Sequence, residues 1–246
     1  FTETVILSDT PIAEQIICAV DLGINTDAVC SIMKADGTIL ARKFIDFTSD
    51  KDRMIHAMNR TRRKQSKYGP RSATSLWAYV KRLNNNRAKK TASAIVEFAA
   101  QNSVDVIVME HLDFKCCKKR GSKAQKLSMW NHGAIRKCVE QKAHLRGIRI
   151  ATICAWKTSA LAFDGSGSVA RDDNNHALAT FTTGKQYNCD LSASYNIGAR
   201  YFIRELLKSL SATEESRVKA KVPDVGRRTS CTLSTLRTLV KELAAA

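Results

Sequence analysis

No two of the 8 cysteines in this 246-residue chain are spaced as C-x-x-C. The usual signature of a zinc ribbon is therefore missing, and no disulfide framework is apparent. Several cysteines sit in apolar runs, as buried free thiols of a reducing compartment do. No apolar stretch is long enough to span a bilayer, and no basic-then-apolar leader opens the chain. A cytoplasmic protein with no membrane partner is expected. The chain starts at Phe1 rather than Met, which fits an excerpt of a longer protein.

Acid is missing where base is dense. From Arg53 to Val96 there is no Asp or Glu, yet there are twelve Lys or Arg. Over the whole chain 40 Lys and Arg face 23 Asp and Glu, a formal charge of +17. Such a run repels itself unless a polyanion lies against it, and phosphates are the polyanions that attract Lys and Arg. Nucleic-acid contacts are expected from Arg60, Arg62, Arg63, Lys64 and Lys67, and from Lys118, Lys119 and Arg120 in a second basic stretch, a loop after residue 110. The plain alternative is a solvated face. Gly69-Pro70 interrupts the first region, and a helix over 75–100 is expected to turn Leu76, Tyr79, Val80 and Leu83 inward.

What is present includes 44% hydrophobic residues, enough for one large core. Ile16-Ile17-Cys18-Ala19-Val20-Asp21-Leu22-Gly23 reads as a buried strand that ends in a carboxylate and a tight turn. Strands over 28–34 and 38–44, joined by Ala35-Asp36-Gly37, complete an antiparallel meander. A fourth strand over 104–109 ends at Glu110. A helix over 131–146 and a strand over 148–154 follow. Residues 155–189 form an insertion rich in Gly, Ser, Asp and Asn. Asp190 opens a helix to about 209, whose small Ala193 lets it pack close to the sheet. Beyond it, a short helix from about Ser234 is expected. A lone buried carboxylate is costly, so Asp21 is either bonded to nearby backbone or holding a metal. Asp21, Glu110 and Asp190, on two strands and a helix start, can converge, and converging carboxylates repel unless cations neutralise them. Oxygen ligands of this kind suit Mg²⁺ or Mn²⁺. His111, beside Glu110, reads as a structural hydrogen-bonder rather than a base.

Val20-Asp21-Leu22-Gly23-Ile24, Ile107-Val108-Met109-Glu110 and Asp190-Leu191-Ser192-Ala193-Ser194-Tyr195-Asn196-Ile197 resemble the split RuvC motifs of TnpB-type transposon nucleases and type V CRISPR effectors. The order of elements resembles the RNase H-like fold: an α/β mixed sheet flanked by helices. The resemblance runs from about residue 16 to 210. It implies RNA-guided DNA cleavage, with two divalent ions held by Asp21, Glu110 and Asp190, and with guide RNA and target DNA as partners. It also implies a division into a linker (1–15) from a missing N-terminal recognition lobe, a RuvC core (16–154) containing the basic helical region (53–100), the insertion (155–189), the last core helix (190–210) and a tail (211–246).

The chain departs from these relatives in its insertion. They carry a zinc ribbon there, whereas here only Cys154, His176 and Cys189 are available, at the wrong spacing for a tetrahedral site. Either the degenerate ribbon has lost its metal or the chain belongs to a divergent branch; zinc is not expected, and elemental analysis would test it. Arg171 lies in this insertion, in a stretch with few cations, where it could fold over the carboxylates and meet a phosphate. Its plain alternative is an ion pair with Asp164, Asp172 or Asp173. Rival readings of the whole chain are an actin-like or sugar-kinase ATPase, with Asp164-Gly165-Ser166-Gly167 as a phosphate loop, a catalytically silent nucleic-acid-binding scaffold, and a stand-alone resolvase or RNase H.

Overall fold

The structure is a computed structural model that describes residues 4–112, 129–172, 175, 177–227 and 229–245. Lys118, Lys119, Arg120 and His176 lie outside the described residues. The centre is a five-stranded sheet in the order β3-β2-β1-β4-β5. Its members are β1 (Ile16–Asp21), β2 (Ala28–Lys34), β3 (Ile39–Ile45), β4 (Val106–His111) and β5 (Arg149–Cys154). The β1–β2 and β2–β3 pairs are antiparallel, while β1–β4 and β4–β5 are parallel. This is the mixed arrangement of the RNase H-like fold.

Period-2 alternation decides which face each side chain joins. On β1, Cys18 and Val20 pack with one core, and Ile17 and Ala19 with the other. On β4, Ile107 and Met109 join the first core, and Val106 and Val108 the second. The first core is covered by α2 (Thr74–Gln101) and α3 (His132–His144). The second is covered by α4 (Cys189–Lys208), α5 (Ala212–Lys221) and α6 (Leu233–Ala244). Leu233, Leu236 and Leu239 of α6 are at most 1% exposed, so the last helix fills the core beside α4. At Gly198 α4 comes so close to the sheet that an added Cβ would stand 2.9 Å from Met33 Cε and 3.2 Å from the Ala19 Cβ.

α1 (Thr48–Tyr68) and α2 form a hairpin. The expected inward face of α2 is corrected by one residue in particular. Val80 is fully buried, but Tyr79 is 40% exposed, and the buried side continues through Ala88, Ala92, Ile95, Val96 and Ala99. The reason is that the first half of α2 has α1 as its neighbour, whereas its second half covers the sheet. The fourth strand begins at Val106, two residues later than expected, and runs through Glu110 to His111. The 155–189 stretch contains a small antiparallel sheet of β6 (Ala170–Arg171), β7 (Leu178–Thr180) and β8 (Gln186–Asn188). Among the described residues no helix is long and apolar enough to cross a membrane.

Candidate active site

Asp21 closes β1 and Glu110 sits near the end of β4. Both continue the alternation of Ile17 and Ala19, and of Val106 and Val108, toward the face covered by α4. The register pairs Val20 with Met109, so the two acids follow at the same level of adjacent parallel strands. Past Asp21 the chain turns sharply: a Cβ on Gly23 would stand 2.5 Å from the Thr26 carbonyl oxygen. Asp190 stands in the first turn of α4, after the Asn188 cap that accepts from the Leu191 amide at 2.9 Å. The structure therefore gathers Asp21, Glu110 and Asp190 at one end of one face.

All three carboxyls are partly buried, and all three pKa values are raised. For Asp21, burial is the first cause, then repulsion by Glu110 and Asp190, with Arg171 opposing both. For Glu110, burial is opposed by a hydrogen bond from the Thr158 hydroxyl and by the Arg200 charge. For Asp190, burial is opposed by Arg171. Among the described residues, no hydrogen bond or ion pair reaches the Asp21 carboxylate. Among the described residues, no group of three or more Asp, Glu, His or Cys side chains is placed so that it could hold a metal ion as it stands. By its chemistry the donor set suits a hard divalent cation: oxygen ligands and excess negative charge, with no hydrogen bond or ion pair on the Asp21 and Asp190 carboxylates among the described residues.

A stability effect follows from these shifts. A carboxyl whose pKa is raised on folding loses stability for the fold as pH rises from its unfolded value to its folded one. Without divalent ions, Asp21→Asn should therefore raise the melting temperature at neutral pH. The gain should shrink as pH falls toward the ordinary Asp value of about 3.9. Thermal unfolding in a chelator, scanned over pH, checks this; a variant that melts below its parent at neutral pH contradicts it.

Arg171 lies on β6, exposed, and its Nη2 donates to Ser159 Oγ at 2.8 Å. Its charge reaches Asp21 and Asp190. Asp164 accepts from the Ser166 amide at 3.0 Å, closing its own turn. Of the zinc candidates, Cys154 is exposed at the end of β5, and Cys189 is buried with its thiol toward the Ser159 carbonyl at 3.4 Å.

Arg60, Arg62, Arg63, Lys64 and Lys67 are all exposed on α1. Arg53, His56, Arg60, Arg63 and Lys67 recur at helical spacing and share one face, a row about 21 Å long. Two other cations of the acid-free stretch are paired with acids. Arg87 is buried against Asp27, with Nε 3.1 Å from Oδ1, and Lys90 pairs with Asp50 at 2.6 Å. The hairpin leaves the sheet at the end that bears the carboxylates, since Ile45 pairs with Ala28 and Asp21 with Val29.

Sequence reasoning missed Thr158 and Arg200, and gave Asn196 no role although it stands in the third motif. Nothing local marked Thr158, which becomes a neighbour of Glu110 only through the fold.

No protein-family model matches the sequence, and no curated protein does. Solved structures share its fold. One is a Cas12f1–sgRNA–target DNA complex, with a TM-score of 0.57 at 20% identity over 77% of this chain and 51% of that one. A second is a CRISPR-Cas12f ternary complex, with a TM-score of 0.53 at 17% identity over 77% and 40%. A third is an AacC2c1–sgRNA binary complex, with a TM-score of 0.57 at 10% identity over 77% and 39%. The chain thus spans about half or less of the effector chains it matches. These likenesses bear out the RNase H-like (RuvC) fold and, at the level of fold, the resemblance to type V effectors.

Proposed function

We propose that this chain is the DNA-cutting part of an RNA-guided effector, a metal-dependent endodeoxyribonuclease of RuvC type. The observation that carries the reading is the meeting of Asp21, Glu110 and Asp190, from two strands and a helix, at one end of one sheet face. These residues would hold two Mg²⁺ or Mn²⁺ ions, which when bound supply an activated water and stabilise the leaving oxygen in an in-line displacement at phosphorus. The carboxylates supply hard oxygen donors and charge, and Arg171 supplies a guanidinium beside them. Guide RNA and target DNA are the proposed partners, by analogy with the complexes of similar fold, and a recognition lobe elsewhere in the effector would read the guide duplex. Zinc has no part in the reading.

The test is cleavage of end-labelled single-stranded DNA in Mg²⁺ against a chelator control, with any co-purifying RNA recovered and sequenced. Metal-dependent cutting supports the proposal. Binding without cutting would favour the silent scaffold.

The α1 row has its own expected result. Replacing Arg60, Arg63 and Lys67 with Gln should weaken binding to all sequences alike. It should also flatten the plot of log affinity against log salt by about 0.7 per lost contact on single strands. Titrations by fluorescence anisotropy at several salt concentrations measure it, and an unchanged slope would make the row a solvated face.

A further inference from the structure

The turn over residues 154–161 touches the candidate site twice, and α4 clamps it from behind. Thr158 is 3% exposed, and its hydroxyl donates to Glu110 Oε1, with the Ala155 carbonyl as a second acceptor at 3.0 Å. Its backbone oxygen accepts from Asn196 Nδ2 at 3.0 Å, and the Leu161 carbonyl accepts from the same amide at 2.9 Å. Asn196 is fully buried, and its Oδ1 accepts from the Leu233 amide at 3.3 Å, so every polar atom of that side chain is partnered. One helical turn later, Arg200 donates to the carbonyls of Cys154 at 3.0 Å, Trp156 at 2.7 Å, Thr229 at 2.8 Å and Cys231 at 3.2 Å. Lys157, between these anchors, has φ of 60°, a left-handed conformation that a non-glycine residue keeps only where its surroundings impose it. Ser159, the residue after Thr158, accepts from Arg171.

We infer that Thr158 is a positioning residue: its hydroxyl, delivered by a turn that Asn196 and Arg200 hold, fixes the Glu110 carboxylate for cation binding. The inference rests on the endonuclease reading. The physical reason is that an anionic ligand on a strand end keeps rotamer freedom unless a donor holds one oxygen, and outer hydrogen bonds of this kind commonly tune metal affinity and activity by 10–100-fold. A hydroxyl that only closed its own turn on Ala155 would affect stability and leave cation affinity alone.

The experiment is Mn²⁺ titration of the full chain, followed by electron paramagnetic resonance of the free ion, alongside single-turnover cleavage of single-stranded DNA. Circular dichroism confirms folding of each variant. Thr158→Val keeps the shape and removes the donor, and should weaken Mn²⁺ binding and slow cleavage by about 10–100-fold each. Thr158→Ser should restore most of both. Asn196→Asp, which keeps the acceptor and loses both amide donors, should show the same double loss. Parental Mn²⁺ affinity and rate in Thr158→Val would overturn the inference, as would equal impairment in the Val and Ser variants. A parent that neither holds Mn²⁺ nor cuts would bring down the endonuclease reading and this inference together. A parent that does both while Thr158→Val matches it would bring down this inference alone.

Discussion

Alanine in place of Asp21, Glu110 or Asp190 should reduce cleavage to the uncatalysed background while nucleic-acid binding stays close to parental. The separation of effects follows from where the groups lie. The carboxylates stand at the end of the sheet on the α4 face, and the exposed cations lie on α1, which packs against α2. Folding should survive, because none of the three side chains belongs to either apolar core and each carboxyl is destabilised where it stands, first by burial. Removing one donor of a charged cluster leaves too few oxygens for two cations, so the three losses should resemble one another rather than grade by position. Cleavage in Mg²⁺ and anisotropy with the same oligonucleotide measure the two halves. Ordinary cleavage by any one variant would remove that residue from the assignment.

Much of this arrangement was legible because it rests on local patterns. Apolar runs ending in acid gave β1 and β4, and turn chemistry gave the β2–β3 hairpin: the Gly37 amide donates to the Lys34 carbonyl at 3.0 Å, with Gly37 at φ +80°. Strand parity then fixes which acids share a face. What could not be read depends on partners distant in the chain. Thr158 meets Glu110 across 48 positions, and Arg200 meets Thr229 across 29. The basic stretch looked uniform as a string of letters, yet Arg87 serves the buried Asp27 while Arg60 and Arg63 face outward. Tyr79 was misplaced because helical periodicity cannot say whether a helix faces a sheet or only another helix along a given half of its length.

Arg171→Ala should slow the chemical step by about 10²–10³, the usual cost of removing one donor to a developing charge. The sequence placed Arg171 in an insertion between β5 and α4, and the structure places it where its charge reaches both Asp21 and Asp190. Its guanidinium is held by Ser159 Oγ at 2.8 Å, on the same turn whose Thr158 holds Glu110. That anchor uses Nη2, and among the described residues the other donors of the planar fork make no hydrogen bond, so they can meet a phosphate in attack. Lysine offers a point charge without the fork, so Arg171→Lys should recover only part of the rate. Binding should change little, since one guanidinium is a small share of the +17 surface. Single-turnover cleavage with enzyme in excess isolates chemistry from binding and product release. A rate for Arg171→Ala within a factor of about two of the parent, against that expectation, would leave Arg171 as an ordinary surface residue hydrogen-bonded to Ser159.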